Sequence, residues 1–302
     1  MVHLFIVNSY AGKGKALAGL REKLSAIPNL DYFIFHTRNA GNEPELVREA
    51  LHIFEDERVR IYSCGGSGTM RNILTAIPDL SKVEVAFYPC GLTNDFLKVF
   101  GTREAPFYKI ENLISGKILE VDYLKSNYGI ALNTISTGMD AALARNTQEF
   151  LYTRFINQQF PYYISLFKSI LTCHPLEYEA VIDDRICRHK CFELVLGNGK
   201  VLGGNLHFTE DDDVRDGIAT ACFGCNRSSV GIIPPILSYM KNDRKKIEEY
   251  SDFHTFERMV LRRKDGKQMD INMDGELVKD VWELTVEVVK RGLRLVVPDS
   301  VI

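Results

Sequence analysis

Over the first hundred residues, short β-branched and aromatic runs alternate with segments whose apolar residues recur at helical spacing. Val2–Asn8 (VHLFIVN) reads as a strand, Lys15–Ile27 sets Leu17, Leu20, Leu24 and Ile27 on one helical face, and Tyr32–His36 reads as a second strand. Pro44–Phe54 reads as a helix, with proline admitted in its first turn. Arg58–Ser63 then reads as a strand, Thr69–Ile77 as a helix, Val83–Tyr88 as a strand and Asp95–Phe100 as a short helix. Strands alternating with helices assemble βαβ units, so an α/β domain with a mostly parallel sheet is expected. The glycine-rich joints fall at the carboxyl ends of the strands, where open α/β sheets place their ligands.

The pattern changes after about residue 118. ILEVDYLKSNYGIALNTISTG contains two strand-like runs joined by a polar turn at Ser126 and Asn127, and strand-turn-strand pieces recur from Leu176 onward. A second, β-rich domain is therefore expected from about residue 120. A helical insertion, Met139 to about Thr172, interrupts it and carries Phe155, Phe160, Tyr162, Tyr163 and Phe167. That aromatic stripe suits either a packed core or the wall of an apolar cleft for a lipid.

Size and charge narrow the field. At 302 residues the chain exceeds what one hydrophobic core usually serves, and a formal net charge of −3 exerts no general attraction on nucleic acid. No run approaches the roughly 20 apolar residues that cross a bilayer, and the amino terminus lacks a basic region ahead of its apolar run, so the expected location is cytoplasmic. Seven scattered cysteines read as reduced thiols. Among them Cys187, Cys191, Cys222 and Cys225 have a spacing that zinc could use, although IATACF reads as a strand with a buried thiol.

Candidate chemistry concentrates in two loops. YSCGGSGTMRN (62–72) sets Gly65, Gly66 and Gly68 between a buried strand and a helix, with Ser67 and Thr69 beside them. Glycine permits positive φ and close approach of the backbone to a ligand, and the amides that open a helix attract an anion. A plain strand-to-helix turn is the alternative. AGKGKA at 11–16 lacks the P-loop spacing. In YPCGLTNDFLKVFG (88–101), Asn94 and Asp95 stand at a helix start, either as caps or as groups for a nucleotide and its cation.

In order, these segments resemble the diacylglycerol kinase catalytic family, which includes bacterial lipid kinases and sphingosine kinases. Asn8 in NSYAGKG resembles N-P-x-S-G-x-G, FHTRNAGNEPELVREA (35–50) the Thr-containing segment, GGSGT (65–69) the GGDGT motif, and GLTNDF (91–96) G-T-x-N-D-F. STGMDA (136–141) is similar to S-x-G-x-D-A, Asp216-Gly217 to a D-G pair in the second domain, and MDGE (273–276) to D-G-E. The resemblance implies an N-terminal α/β nucleotide domain (1–119 plus about 292–302, with Leu293–Val297 returning to it) and a C-terminal all-β sandwich (120–291). It implies that ATP phosphorylates a diacylglycerol-like lipid hydroxyl in a cleft between them, at a membrane surface reached by transient docking. Asn8, Gly65, Gly66, Ser67, Gly68, Thr69, Thr93, Asn94 and Asp95 would meet ATP and its Mg2+. Glu276 would act as general base with Asp274 beside it. A structural magnesium would lie on the Asp216 carboxylate and the carbonyls of Asp213 and Ile218. A homodimer is compatible with this reading.

The departures are specific. Ser67 stands where GGDGT has its acid, Leu92 where G-T-x-N-D has its Thr, Arg71-Asn72 where an Asn-Glu pair is usual, and Ser9-Tyr10 where the first motif has its Pro. Without the Ser67-site carboxylate, less negative charge is present to hold a divalent ion. The alternatives are therefore a catalytically impaired, nucleotide-binding regulatory relative and, on the shared GGDG-type cradle, an NAD kinase.

Overall fold

The structure is a computed structural model and describes residues 1–39, 41–91, 94–151, 168–169, 172–202, 206–207, 213–224 and 229–302. The aromatic cluster Phe155–Phe167, Leu92, Thr93 and Cys225 lie outside the described residues. In chain order the elements are β1 (Val2–Val7), α1 (Ala16–Ser25), β2 (Tyr32–His36), α2 (Glu43–Ile53), β3 (Val59–Gly65), α3 (Ser67–Ala76), β4 (Glu84–Pro89), α4 (Ile110–Ile114) and β5 (Lys117–Ser126). There follow β6 (Gly129–Ala131), β7 (Thr134–Gly138), α5 (Met139–Leu151), β8 (Leu176–Ile182), β9 (Arg185–Cys191), β10 (Glu193–Gly197), β11 (Val201–Leu202), β12 (Leu206–His207) and β13 (Ala219–Gly224). The chain closes with α6 (Ile233–Met240), α7 (Arg244–Tyr250), β14 (Ser251–Phe256), β15 (Arg258–Arg263), β16 (Met269–Met273), β17 (Glu276–Val281) and β18 (Leu284–Val297). Two compact units result: Met1–Tyr123 with Lys290–Ile302, and Leu124–Val289.

In the first unit the strand order is β2-β1-β3-β4-β18, every pair parallel. Each residue of β1, β3 and β4 is buried, as expected of strands covered on both faces. Leu20 and Leu24 of α1, Val47 of α2, and Ile73 and Leu74 of α3 supply the buried apolar faces of the helices. At the amino ends of the strands, Glu84 is 1% exposed and accepts from Arg58 and Arg60. Arg60 also donates to the Leu113 and Ile114 carbonyls that close α4. This buried carboxylate is fully paired, as burial requires.

In the second unit α6 and α7 stand where strand-turn-strand pieces were expected, and two details of the first unit also differ from expectation. The helix expected to start at Thr69 starts at Ser67, so the whole G-S-G-T sequence lies at or inside its first turn. The segment after Asp95 is a 3-10 helix, Asp95–Arg103, kinked at Gly101.

The second unit is a sandwich. One antiparallel sheet runs β14-β13-β10-β7-β16-β17. In the other, the first half of β18 pairs with β15, β15 with β8 and β8 with β9, again antiparallel. Leu194, Leu196, Phe223, Phe256, Ile271 and Met273 from the former pack against Tyr178, Met259, Leu261 and Val286 in one core.

The start of α5 explains the S-x-G-x-D-A segment. Asp140 accepts from the Ser136 hydroxyl (2.5 Å) and the Asn272 amide (2.6 Å), while its own N–H donates to Glu193 (2.8 Å). Burial raises the pKa of both carboxyls, and the Asp140 charge pushes Glu193 further, well above its ordinary value. With its folded pKa raised, Glu193 confers stability that is complete below about pH 4.5, its ordinary value, and is lost as pH rises through the folded value. We therefore expect the urea midpoint to decline from pH 4.5 towards neutrality, and Glu193→Gln to flatten that decline. An unchanged pH slope in the variant would contradict the assignment.

Candidate functional site

The carboxyl ends of β1, β3 and β4 are bound into one platform by main-chain hydrogen bonds. Asn8 N–H donates to the Cys64 carbonyl (3.0 Å), Gly12 N–H to Cys90 (3.0 Å), and the N–H groups of Cys90 (2.8 Å) and Gly91 (3.1 Å) both to Gly65. At two of these glycines a side chain has no room, at Gly65 because of the Thr69 side chain and at Gly91 because of the Gly66 backbone. A Cβ on Gly65 would sit 2.4 Å from Thr69 Oγ1, and one on Gly91 would sit 2.4 Å from Gly66 Cα. None of Gly65, Gly66 and Gly68 has positive φ, so close approach, rather than the conformational freedom expected from sequence, is what selects Gly65. Gly68 is different: a Cβ there would meet nothing within 4 Å, which leaves space over the first turn of α3.

The first intrahelical bond of α3 runs from Met70 N–H to the Gly66 carbonyl (3.1 Å). The amides that open a helix precede its first intrahelical bond and carry the positive end of its dipole. Thr69 does not extend this surface. Its side chain is 5% exposed, packs on Gly65 and accepts from the Asn8 amide (3.0 Å).

Beneath the platform lies Glu43, which the sequence reading passed over. It is 1% exposed at the first residue of α2 and accepts from Asn8 (3.2 Å) and Asn72 (3.3 Å). Asn8 also accepts from the Tyr10 N–H (2.9 Å), so its side chain buttresses the cradle. Asn72 occupies the position of the resemblance's Glu, and the structure retains a carboxylate there by supplying it from α2. No spacing in the sequence links residue 43 to residue 72; only the packing of α2 on α3 does.

Asn94 is the residue before the 3-10 helix but makes no side-chain cap. Its amide nitrogen donates to Gly91 (3.4 Å), while its Oδ1 is buried without a hydrogen-bond partner. Asp95 follows it. Lys23 of α1 donates to the Tyr88 hydroxyl (2.7 Å), which raises the lysine's pKa. Burial pushes the Cys90 thiol up to about 11 and the Cys64 thiol well above its usual value, so both stay protonated and unreactive at neutral pH.

In the second unit Asp274 and Gly275 form the two-residue turn between β16 and β17, with φ of 50° and 92°. This is the backbone of a type I′ hairpin, which Asp-Gly favours. The Asp274 carboxylate accepts the N–H groups of Leu132 (2.6 Å), Asn133 (3.1 Å) and Thr134 (2.8 Å). Its side chain thus anchors the entry to β7, and Glu276 opens β17 beyond the turn. Asp213, Asp216 and Ile218 form a local turn. Asp216 N–H donates to the Asp213 carbonyl (3.1 Å), Ile218 N–H to Asp216 Oδ1 (2.9 Å), and Arg215 holds the Asp213 carboxylate with two bonds of 2.9 Å. Among the described residues, no group of three or more His, Cys, Asp or Glu side chains is placed to hold a metal. Cys191 and Cys222 are buried core thiols, that of Cys222 pushed up to about 12 by burial.

Residues 3–126 match the diacylglycerol kinase catalytic domain, and residues 133–223 match the YegS C-terminal NAD kinase beta sandwich-like domain. Residues 3–126 are thus a diacylglycerol kinase catalytic domain, followed by the sandwich-like domain that residues 133–223 match. A Staphylococcus aureus protein named "Putative lipid kinase SAS0691" is 25% identical over 239 residues, covering 78% of this chain and 76% of that one. "Putative lipid kinase YtlR" of Bacillus subtilis is 24% identical over 217 residues, covering 67% and 70%. A crystal structure of a "putative diacylglycerol kinase" from Bacillus anthracis superposes with a TM-score of 0.74 at 18% identity, covering 99% of this chain and 96% of that one. Yeast NADH kinase shares the fold more distantly, with a TM-score of 0.52 at 13% identity and coverage of 98% and 83%.

Three substitutions separate structural from functional glycine. Gly65→Ala and Gly91→Ala are each expected to lower stability by about 1–3 kcal/mol through overpacking, whereas Gly68→Ala leaves it unchanged or slightly raised. Thermal melts of the three variants check this. Asp274→Ala is expected to cost on the order of 3 kcal/mol in denaturant unfolding, because three buried N–H groups lose a charged acceptor.

Proposed function

We propose that this chain is an ATP-dependent lipid kinase that transfers the γ-phosphoryl group to the hydroxyl of a diacylglycerol-like lipid. The observation that carries the reading is the first turn of α3, opening under free space at Gly68 and locked to the neighbouring loops by Gly65 and Gly91. Phosphates suit amides so arranged. Asn94, with its buried and unpartnered oxygen, is the polar group next to that platform that would accept from the nucleotide.

The donor set fits a magnesium ion that arrives on the nucleotide, since such an ion takes phosphate oxygens and only one or two carboxylates. Asp95 is that carboxylate, because Glu43 is committed to Asn8 and Asn72. When bound, the ion would neutralise charge on the phosphates. In the second unit Asp216, with the carbonyls of Asp213 and Ile218, offers oxygen donors of the type a structural magnesium takes. Glu276 accepts the proton of the attacking hydroxyl, and Asp274 fixes the turn that presents it. The chain works in the cytoplasm and meets its lipid by transient contact with a membrane surface; no helix among the described residues is long and apolar enough to cross a bilayer.

Ser67 supports a second reading. A nucleotide-binding regulatory relative would keep the platform and lose turnover, since serine at the GGDGT acid position carries no charge to help hold the cation. Phosphate transfer from γ-labelled ATP to a panel of lipid alcohols, with NAD included, distinguishes these. The kinase reading expects a labelled lipid, turnover raised by Ser67→Asp, and a fall of about 100-fold or more in Glu276→Gln. Nucleotide binding with no labelled product from either the wild type or Ser67→Asp would replace it with the regulatory reading.

A further inference from the structure

Two histidines far apart in sequence meet at the edge of the C-terminal sandwich. His189 lies on β9 and His254 on β14, each strand the last in its sheet's order. Their Nε2 atoms stand 3.2 Å apart. Phe223 of β13 fixes both rings, stacking on His189 with centroids 4.1 Å apart and meeting His254 edge-on at 5.7 Å. The Asp252 carboxylate lies 3.3 Å from the other ring nitrogen of His189, Nδ1.

We propose that His189 and His254 are the protein ligands of a divalent transition-metal site, best suited to zinc, with Asp252 as the residue that orients His189. With metal–nitrogen bonds of about 2.0–2.1 Å, a 3.2 Å separation subtends roughly 100–106° at the ion, close to the tetrahedral angle that zinc adopts. The ring geometry points the same way. A straight N–H···N bond of this length would place the ring centres about 5.4 Å apart, allowing about 1.1 Å for each ring radius. They are 5.0 Å apart, so the ring axes are inclined to one another, as those of two ligands sharing one ion are.

The carboxylate on Nδ1 completes the arrangement. A metal-bound histidine commonly donates its second ring N–H to a carboxylate, which fixes its tautomer and raises its basicity. Two histidines leave two tetrahedral positions for water. An ion held there clips the last strand of one sheet to the last strand of the other.

Calorimetric titration of the purified 302-residue chain with Zn2+ in a non-chelating buffer tests this, paired with thermal melts at increasing Zn2+. One ion is expected to bind, with the melting temperature rising with zinc concentration as mass action requires. His189→Gln and His254→Gln should each abolish the binding heat, and Asp252→Asn should weaken affinity about tenfold. Melts without zinc establish that the variants are folded; if a glutamine variant is not, the alanine variant at the same position takes its place. No binding up to about 1 mM Zn2+, or equal binding in the wild type and both histidine variants, would overturn the proposal. The first result leaves a shared-proton histidine pair, and the second places the ion on thiols.

Discussion

The N-terminal unit depends on how closely three loops can be brought together where β1, β3 and β4 end. Parallel strands deliver their carboxyl ends to one edge of the sheet, but the loops there still have to be locked to one another. Main-chain bonds among Asn8, Gly12, Cys64, Gly65, Cys90 and Gly91 do this. At Gly91 the neighbouring backbone, and at Gly65 the Thr69 side chain, come too close to admit any Cβ. The buried Glu43 carboxylate then braces the platform from below by holding the Asn8 and Asn72 amides. What results is a rigid helix start with little freedom to relax, the kind of preorganised donor array that recognises phosphate without reorganising.

The C-terminal unit uses buried carboxylates for a different purpose. Asp274 gathers three backbone N–H groups, Asp140 gathers a hydroxyl and an amide, and Glu193 accepts from the Asp140 backbone. These acids set where β7 begins, where α5 starts and how the β16–β17 hairpin is held. The motifs that contain Asp140 and Asp274 therefore have an architectural account that stands independently of any catalytic one. Glu276 is placed by that architecture, as the first residue of β17 after the turn.

Much of this was legible in the sequence because the relevant signals are local. The alternation of buried strands and amphipathic helices, the shift to β structure near residue 118, and the glycine-rich joint before α3 all follow from patterns a few residues long. The reason for the glycines was less legible. Gly65 is selected by the Thr69 side chain folding back on it, a contact that depends on α3 starting two residues earlier than its apolar pattern suggests. Glu43 and the His189–His254 pair were not legible at all, because each acquires meaning only through packing between segments 29 or more residues apart. Asn94 shows the reverse: its sequence position suits a helix cap, yet the side chain makes none.

The central claim is that the amides opening α3 hold an anion. Amide hydrogen–deuterium exchange of the full chain with and without ATP and Mg2+ tests it most directly. The account predicts that addition of nucleotide slows exchange in the peptide spanning Gly66–Met70 and in the peptide around Gly91–Asp95. Bound nucleotide that protects other segments while leaving Gly66–Met70 unchanged would contradict it.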